Sequence, residues 1–97
     1  MSGSGTATLD FGAFPGKTDA TVAVTGQTGI VAGSLVGAWL RPVATADHSA
    51  DEHMVEQLNV VARDVVAGSG FTIHGVETQQ GTKGKLWGRW TVGWVWA

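Results

Sequence analysis

Residues 44–53 form a polar island that holds the side chains best suited to chemistry. Two imidazoles and three carboxylates fall within residues 47–53, and both groups are ligands for zinc-like divalent cations. In a helix, His48 and Glu52 would share one face, whereas His48 and His53 would not converge. Because the spacing matches no standard metal motif, we predict a solvated segment with no metal or cofactor. The alternative is a metal site with these candidate ligands: His48, Asp51, Glu52 and His53.

Residues suited to catalysis are few and scattered. His74 stands alone on a predicted strand, without the positioned nucleophile or second base that a catalytic histidine needs. The chain has no cysteine, and its serines lie in no recognisable nucleophile motif. Gly16-Lys17-Thr18 lacks the glycine that a phosphate-binding loop carries five positions earlier, where this chain has Phe11. We therefore predict that the protein is not an enzyme.

The last twelve residues, Leu86 to Ala97, organise the rest of the chain and carry four of its five tryptophans. Read with a period of two, one side of this stretch is almost entirely large and apolar, which is typical of a β-strand. A helix would scatter the tryptophans and would carry Gly88 and Gly93 as interior breakers. Because the second side also carries Trp87 and Val95, we predict a strand that is central in its sheet or covered by a partner subunit. The predicted apolar side consists of Leu86, Trp90, Val92, Trp94 and Trp96.

Five further stretches alternate in the same way and are separated by glycine-rich turns. Such spacing favours a single all-β domain, an antiparallel β-sandwich of about six strands. We assign residues 6–97 to this sandwich and residues 1–5, which are rich in glycine and serine, to a flexible N-terminal arm. Ser49 and Glu52 fit a helix capping box, so a short helix before the fourth strand stays open. The further predicted strands are Thr6–Phe11, Asp19–Thr25, Leu35–Val43, Leu58–Val66 and Phe71–Glu77.

Composition limits the partners of the chain. The net charge is −2, and the six lysines and arginines are dispersed, which argues against nucleic-acid binding. The longest apolar runs are far too short to span a membrane. Only 14% of residues are charged, so we expect part of the apolar surface to be buried in a homo-oligomer. The residues predicted to lie in the core or the oligomer interface are Trp39, Phe71, Trp90, Trp94 and Trp96.

A small set of residues is predicted to be presented for ligand contact. Trp87 lies off the main tryptophan face, beside Gly88 and Arg89, and an exposed indole can stack on a sugar or a base. The polar segment around His48 is the other predicted contact surface. The candidate ligand-binding residues are therefore Trp87, Arg89 and His48.

The second half of the chain resembles the H-type lectin (discoidin C-terminal) domain. The resemblance rests on a strand at Leu58–Val66, a Gly-Phe-Thr-Ile opening at residues 70–73, and a closing strand at residues 90–97 that ends in Trp-Val-Trp-Ala. It implies a six-stranded antiparallel sandwich that assembles as a trimer, with carbohydrate binding as the activity of the family. Residues of the family's sugar site do not align with positions of this chain, so none is assigned.

The chain as a whole also looks like small virion proteins of tailed bacteriophages. The similarity lies in residues 6–12, in Ala-Trp-Leu-Arg-Pro at residues 38–42, and in the Trp-Val-Trp ending. It implies a structural component of the virion, displayed on the head as a decoration or spike, or on the tail, next to capsid or tail proteins. The alternative function is a carbohydrate-binding module that recognises host-surface glycan.

Overall fold

The computed structural model describes residues 2–14, 16–55, 58–77 and 86–97. These residues form two antiparallel three-stranded sheets, which we call sheet I (order β1-β6-β3) and sheet II (order β2-β5-β4). The two sheets pack face to face, which confirms the predicted all-β antiparallel sandwich. Within the part of the chain that the structure describes, no helix is long and apolar enough to cross a membrane. The elements are β1 (Gly3–Asp10), β2 (Asp19–Val24), β3 (Val36–Leu40), α1 (Ala50–Val55), β4 (Leu58–Val66), β5 (Gly70–Glu77) and β6 (Arg89–Trp96).

Strand β6 is the centre of sheet I, as its sequence predicts. It pairs with β1 from Gly3↔Trp96 to Asp10↔Arg89 and with β3 from Val36↔Trp96 to Leu40↔Val92. Its alternating residues divide between the two sides of the sheet, with the large apolar ones facing sheet II. The period-two pattern of the tryptophan stretch is therefore confirmed.

The hydrophobic core lies between the inner faces of the two sheets. Phe71 of sheet II meets Trp94 of sheet I edge to face, with ring centroids 5.7 Å apart and planes at 77°, a favourable geometry for an aromatic pair. Four of the five residues predicted for core or interface, Phe71, Trp90, Trp94 and Trp96, belong to this core, whereas Trp39 lies on the outer face of sheet I. Among the described residues, the buried core consists of Leu9, Phe11, Val24, Ile30, Phe71, Ile73, Leu86, Trp90, Val92, Trp94 and Trp96.

The prediction of a flexible arm over residues 1–5 is wrong for Gly3, Ser4 and Gly5. These residues form the start of β1 and pair with Trp96, Val95 and Trp94 at the end of β6. The reason lies in the indoles opposite them: a Cβ added at Gly5 would stand 2.6 Å from Cζ2 of Trp94. A glycine that reads as flexible in the sequence is required here because a tryptophan ring lies across the strand. Met1 lies outside the described residues.

The remaining strands agree closely with prediction. Strand β4 has the predicted bounds, and it contains a bulge between Arg63 and Val66 where Asp64 adopts a positive φ of 61°. Strand β3 is shorter than predicted, but its residues divide between the two faces in the predicted way. Residues 79–84, which the sequence predicts to form a loop between the fifth strand and the tryptophan stretch, lie outside the described residues.

Candidate functional site

Helix α1 confirms the capping box and settles the open alternative in favour of a short helix. The Glu52 backbone N–H donates to Ser49 Oγ at 3.2 Å, and the Ser49 N–H donates to Glu52 Oε1 at 3.0 Å. This reciprocal pair satisfies two backbone donors at the start of the helix. The helix begins at Ala50, within the polar island, and β4 begins at Leu58, so both the helix and the strand predicted there exist.

His48 is buried behind the start of β6. Its residue surface is only 5% exposed. Its Nδ1 lies 2.8 Å from Glu52 Oε2, and its Nε2 lies 2.7 Å from the carbonyl oxygen of Trp87. The imidazole stacks on the Trp90 indole, with centroids 3.9 Å apart and planes at 19°. This ring therefore joins helix α1 to the tryptophan strand.

His53 is also buried, but it contacts different partners. Its Nδ1 lies 2.7 Å from the carbonyl oxygen of Ser49, and its Nε2 lies 3.0 Å from the backbone nitrogen of Thr91. Since Nδ1 must donate to the carbonyl and Nε2 must accept from the amide, the hydrogen bonds require a neutral ring protonated on Nδ1. His53 thus ties the helix to the backbone of β6.

The four candidate metal ligands do not converge. His48 and Glu52 face one another, both nitrogens of His53 face the backbone, and Asp51 is exposed. Across residues 2–14, 16–55, 58–77 and 86–97, no group of three or more His, Cys, Asp or Glu side chains could hold a metal ion. The His and Glu side chains of this segment instead hold the helix to β6.

A short loop before α1 is fastened to the first residue of β6. Asp47 Oδ2 accepts from the Arg89 backbone N–H at 2.8 Å, and the Thr45 hydroxyl donates to the Arg89 carbonyl at 2.9 Å. The Thr45 Oγ1 also accepts from the backbone N–H of His48 at 3.1 Å. The loop and the entry to β6 therefore form one hydrogen-bonded unit.

An open recess of about 400 Å³ lies where β1 ends and β6 begins. Its volume falls in the range of small-molecule sites, about 300–1,000 Å³. The rings of Phe14 and Trp87, both exposed, stand edge to face with centroids 6.4 Å apart. We call this site the aromatic recess. Its lining residues are Asp10, Gly12, Ala13, Phe14, Asp47, Trp87, Gly88 and Arg89.

The aromatic recess contains two of the three predicted ligand-binding residues. Trp87 and Arg89 line it, whereas His48 lies behind it, bonded to the Trp87 carbonyl. Burial makes His48 a support for the recess rather than a contact surface, which corrects its predicted role. Sequence reasoning missed Asp10 and Phe14. The Gly12 backbone N–H donates to Asp10 Oδ1 at 2.8 Å and so forms an Asx turn. The Asp-Phe-Gly sequence favours such a turn, and it is the sequence signal that could have indicated Asp10.

The aromatic recess contains both negatively and positively charged side chains. Asp10 Oδ2 lies 3.9 Å from Arg89 Nε, and both side chains are more than half exposed, so this pair contributes little to stability. The carboxylates of Asp10 and Asp47 can accept hydrogen bonds, and the guanidinium of Arg89 can donate them. Together with two aromatic walls, this set suits a ligand that has an apolar ring face and hydroxyl groups.

Among the described residues, the carboxyl groups of Glu52 and Asp64 have lowered pKa values. The pKa of Glu52 lies below its usual value because the Ser49 backbone N–H, and then His48, hydrogen-bond to its charged form. The pKa of Asp64 is lowered chiefly by its hydrogen bond to His74, whose Nε2 lies 3.0 Å from Asp64 Oδ2. His74, on β5, therefore pairs with the bulge of β4 on sheet II and does not line the aromatic recess.

The outer face of sheet I carries a second feature, which we call the apolar patch: Leu35, Trp39 and Val95. These residues are 78%, 47% and 41% exposed. The Trp39 indole covers Gly93: a Cβ added at this glycine would stand 2.6 Å from Trp39 Cε2, 2.7 Å from Cζ2 and 2.8 Å from Nε1. The patch is continuous with a shallow apolar groove formed by the ends of β3 and β6.

Comparison with known proteins finds no matching family model, no matching curated protein and no matching solved structure.

Proposed function

We propose that this chain is a non-enzymatic structural protein of a tailed-phage virion, displayed on the head or tail surface as a homo-oligomer, specifically a trimer. The observation that carries the proposal is the apolar patch on the outer face of sheet I. The resemblance of the sequence to small virion proteins supplies the setting, and a small sandwich with an uncovered apolar face suits repeated assembly.

The composition of the apolar patch supports burial against another protein. Trp39 is a large aromatic exposed near the middle of a sheet face, and aromatic residues are enriched at the centres of protein interfaces. Leu35 and Val95 extend the apolar surface from Trp39 toward the C-terminal end of β6. A second copy of the chain is the partner that the low charge content favours, because association would remove this surface from water.

Display on a particle would follow from the same geometry. A trimer that buries the apolar patch would leave the outer face of sheet II free for a neighbouring protein. Weak contacts to a capsid or tail lattice, repeated over many copies, would give a high combined affinity. The virion would therefore be the site of function, after synthesis in the cytoplasm of the bacterial host.

The test is the protein composition of purified particles. Particles from a culture that produces this chain are sedimented, washed in high salt and analysed by quantitative mass spectrometry. The proposal predicts that the chain remains with the particles in many copies, in a fixed ratio to the major head or tail protein. Complete recovery in the soluble fraction, with none in the particles, would refute a virion role.

A second candidate function is carbohydrate binding, and the aromatic recess favours it. Exposed aromatic walls at Phe14 and Trp87 can stack on the apolar face of a sugar ring, while Asp10, Asp47 and Arg89 offer partners for its hydroxyl groups. The test is a glycan array with the wild-type chain and two variants. Trp87→Ala should abolish binding, whereas Trp39→Ala, which removes the exposed tryptophan of the apolar patch, should still bind the glycan. An array without any bound glycan would remove this candidate.

A further inference from the structure

The two ring nitrogens of His48 both face atoms that accept hydrogen bonds. A carboxylate oxygen of Glu52 lies at Nδ1, and the carbonyl oxygen of Trp87 lies at Nε2, at 2.8 Å and 2.7 Å. A neutral imidazole has one proton, so one of these short contacts would set two lone pairs against each other. We propose that His48 is protonated on both nitrogens in the folded protein and is a pH-sensitive latch that fastens Trp87 to helix α1.

The surroundings of His48 favour a buried imidazolium. Glu52 supplies the opposite charge from helix α1, and the Trp90 indole presents its face to the ring at a centroid distance of 3.9 Å. A cation over an indole face is attracted by the negative face of the ring. Together these contacts replace the water that a charged imidazole loses on burial.

The other titratable and charged groups around the ring come from three elements. His53 on α1 lies 6.5 Å away, centroid to centroid, and its own hydrogen bonds require it to be neutral. Asp47 on the preceding loop and Arg89 on β6 are hydrogen-bonded to each other, carboxylate to backbone N–H. Two neighbouring histidines thus have opposite protonation states, and each state is set by the partners of its ring nitrogens.

The latch controls the position of one wall of the aromatic recess. The Trp87 carbonyl accepts from His48 and also from the Trp90 indole N–H at 3.2 Å, and a Cβ at Gly88 would stand 2.9 Å from His48 Nε2. When pH rises and the imidazolium loses a proton, one ring nitrogen no longer has an N–H to donate to the oxygen that it faces. The segment from Trp87 to Arg89 then loses a fastening, and the recess loosens. This inference goes beyond the proposed functions and depends on neither of them.

The test is ¹⁵N NMR of the imidazole rings in the full-length protein, with His53 as an internal reference. At neutral pH, His48 should show two protonated, similar nitrogens, and His53 should show one protonated and one unprotonated nitrogen. In Glu52→Gln, the side-chain amide can donate to Nδ1, so His48 should become neutral. The control His74→Gln, on sheet II, should leave His48 unchanged. A wild-type His48 with one unprotonated nitrogen at neutral pH would overturn the proposal.

A second measurement tests the latch itself. Amide hydrogen exchange of Gly88 and Arg89, expressed as protection factors to remove the intrinsic effect of pH, should fall as pH rises through the titration of His48. The amides of β5 should keep their protection over the same interval and so exclude global unfolding. Protection of Gly88 and Arg89 that stays constant while His48 loses its proton would show that the ring is no latch.

Discussion

Substitution of Gly93 by alanine should lift the Trp39 indole from sheet I. The Cβ of an alanine at this position would stand 2.6–2.8 Å from three atoms of the Trp39 ring, which is closer than van der Waals contact. Since β6 is held between β1 and β3, the indole must move rather than the strand. We expect the ring to tilt away and to expose the surface that it now covers.

The magnitude follows from the area that Trp39 covers. The residue is 47% exposed, and a buried tryptophan covers about 150–250 Å², so the contact with the sheet covers roughly 100 Å². At about 25 cal/mol per Å², loss of the whole contact costs about 2.5 kcal/mol. Alanine restricts the unfolded chain and returns about 0.4–1 kcal/mol. The net loss in the free energy of unfolding should be about 1–2 kcal/mol.

The assay is urea unfolding and thermal unfolding at one fixed protein concentration, because association makes apparent stability depend on concentration. For a domain of this size, the loss corresponds to a fall in Tm of about 5–15 °C. The matched control is Gly37→Ala on β3 of the same outer face, where the nearest atom to the added Cβ is Val95 Cγ1 at 3.9 Å. This control should be as stable as the wild type or about 0.5 kcal/mol more stable.

Two results would refute the reasoning about the apolar patch. The first is a Gly93→Ala variant that is as stable as Gly37→Ala. The second is an unchanged tryptophan emission spectrum, because a tilted Trp39 must sit in a different environment. Either result would mean that the indole does not depend on the glycine beneath it.

Three further substitutions test the core, the capping box and the sheet contacts. Gln27→Leu should cost about 1–3 kcal/mol in urea unfolding, because Gln27 Oε1 accepts from the buried Trp96 indole N–H at 2.9 Å. Glu52→Gln should be less stable than the wild type at neutral pH, and the difference should shrink as pH falls below the usual carboxyl value of 4.5, because the lowered pKa of Glu52 stabilises the fold only while the group is charged. Gly70→Ala should cost about 3 kcal/mol or more, since its Cβ would overlap the Val24 carbonyl at the edge of sheet II, and its Tm should fall accordingly.

Each of these variants has a control. Gln27→Glu keeps an acceptor for the Trp96 indole, so it should retain more stability than Gln27→Leu. Asp51→Asn changes an exposed neighbouring carboxylate without touching His48, so it should not reproduce the acid profile of Glu52→Gln. Gly33→Ala places a Cβ where no atom lies within 4 Å, so it should be tolerated. A Gly70→Ala variant as stable as Gly33→Ala would contradict the packing at β5.

The strands could be predicted from sequence because alternation is a local property. Strand β4 has the predicted bounds, and the inward residues of β6 are the predicted ones. Two features could not be predicted in this way, because they depend on residues far along the chain. Gly3 and Gly5 belong to a strand because the indoles of Trp94 and Trp96 lie over them, and Ile30, between strands, is buried in the core.

The candidate site was only partly accessible to sequence reasoning. Trp87 and Arg89 were predicted as exposed contacts, and both line the aromatic recess. Asp10 joins them because the register of β1 and β6 places it opposite Arg89. Local sequence patterns do not predict the register between two strands. His48 lies in a polar segment, which predicted exposure, yet the stacking on Trp90 buries it. Long-range pairing therefore determines the site more than local composition does.

The mass of the protein in solution, measured by light scattering, tests the proposed assembly most directly. The wild type should have three times the chain mass of 10.0 kDa. Val95→Glu, in the apolar patch, should be monomeric, whereas Val61→Glu should remain a trimer. The two valines are 41% and 44% exposed and lie on the outer faces of opposite sheets, so the substitutions are matched. A monomeric wild type, or a Val95→Glu variant that stays a trimer, would contradict assembly through the apolar patch.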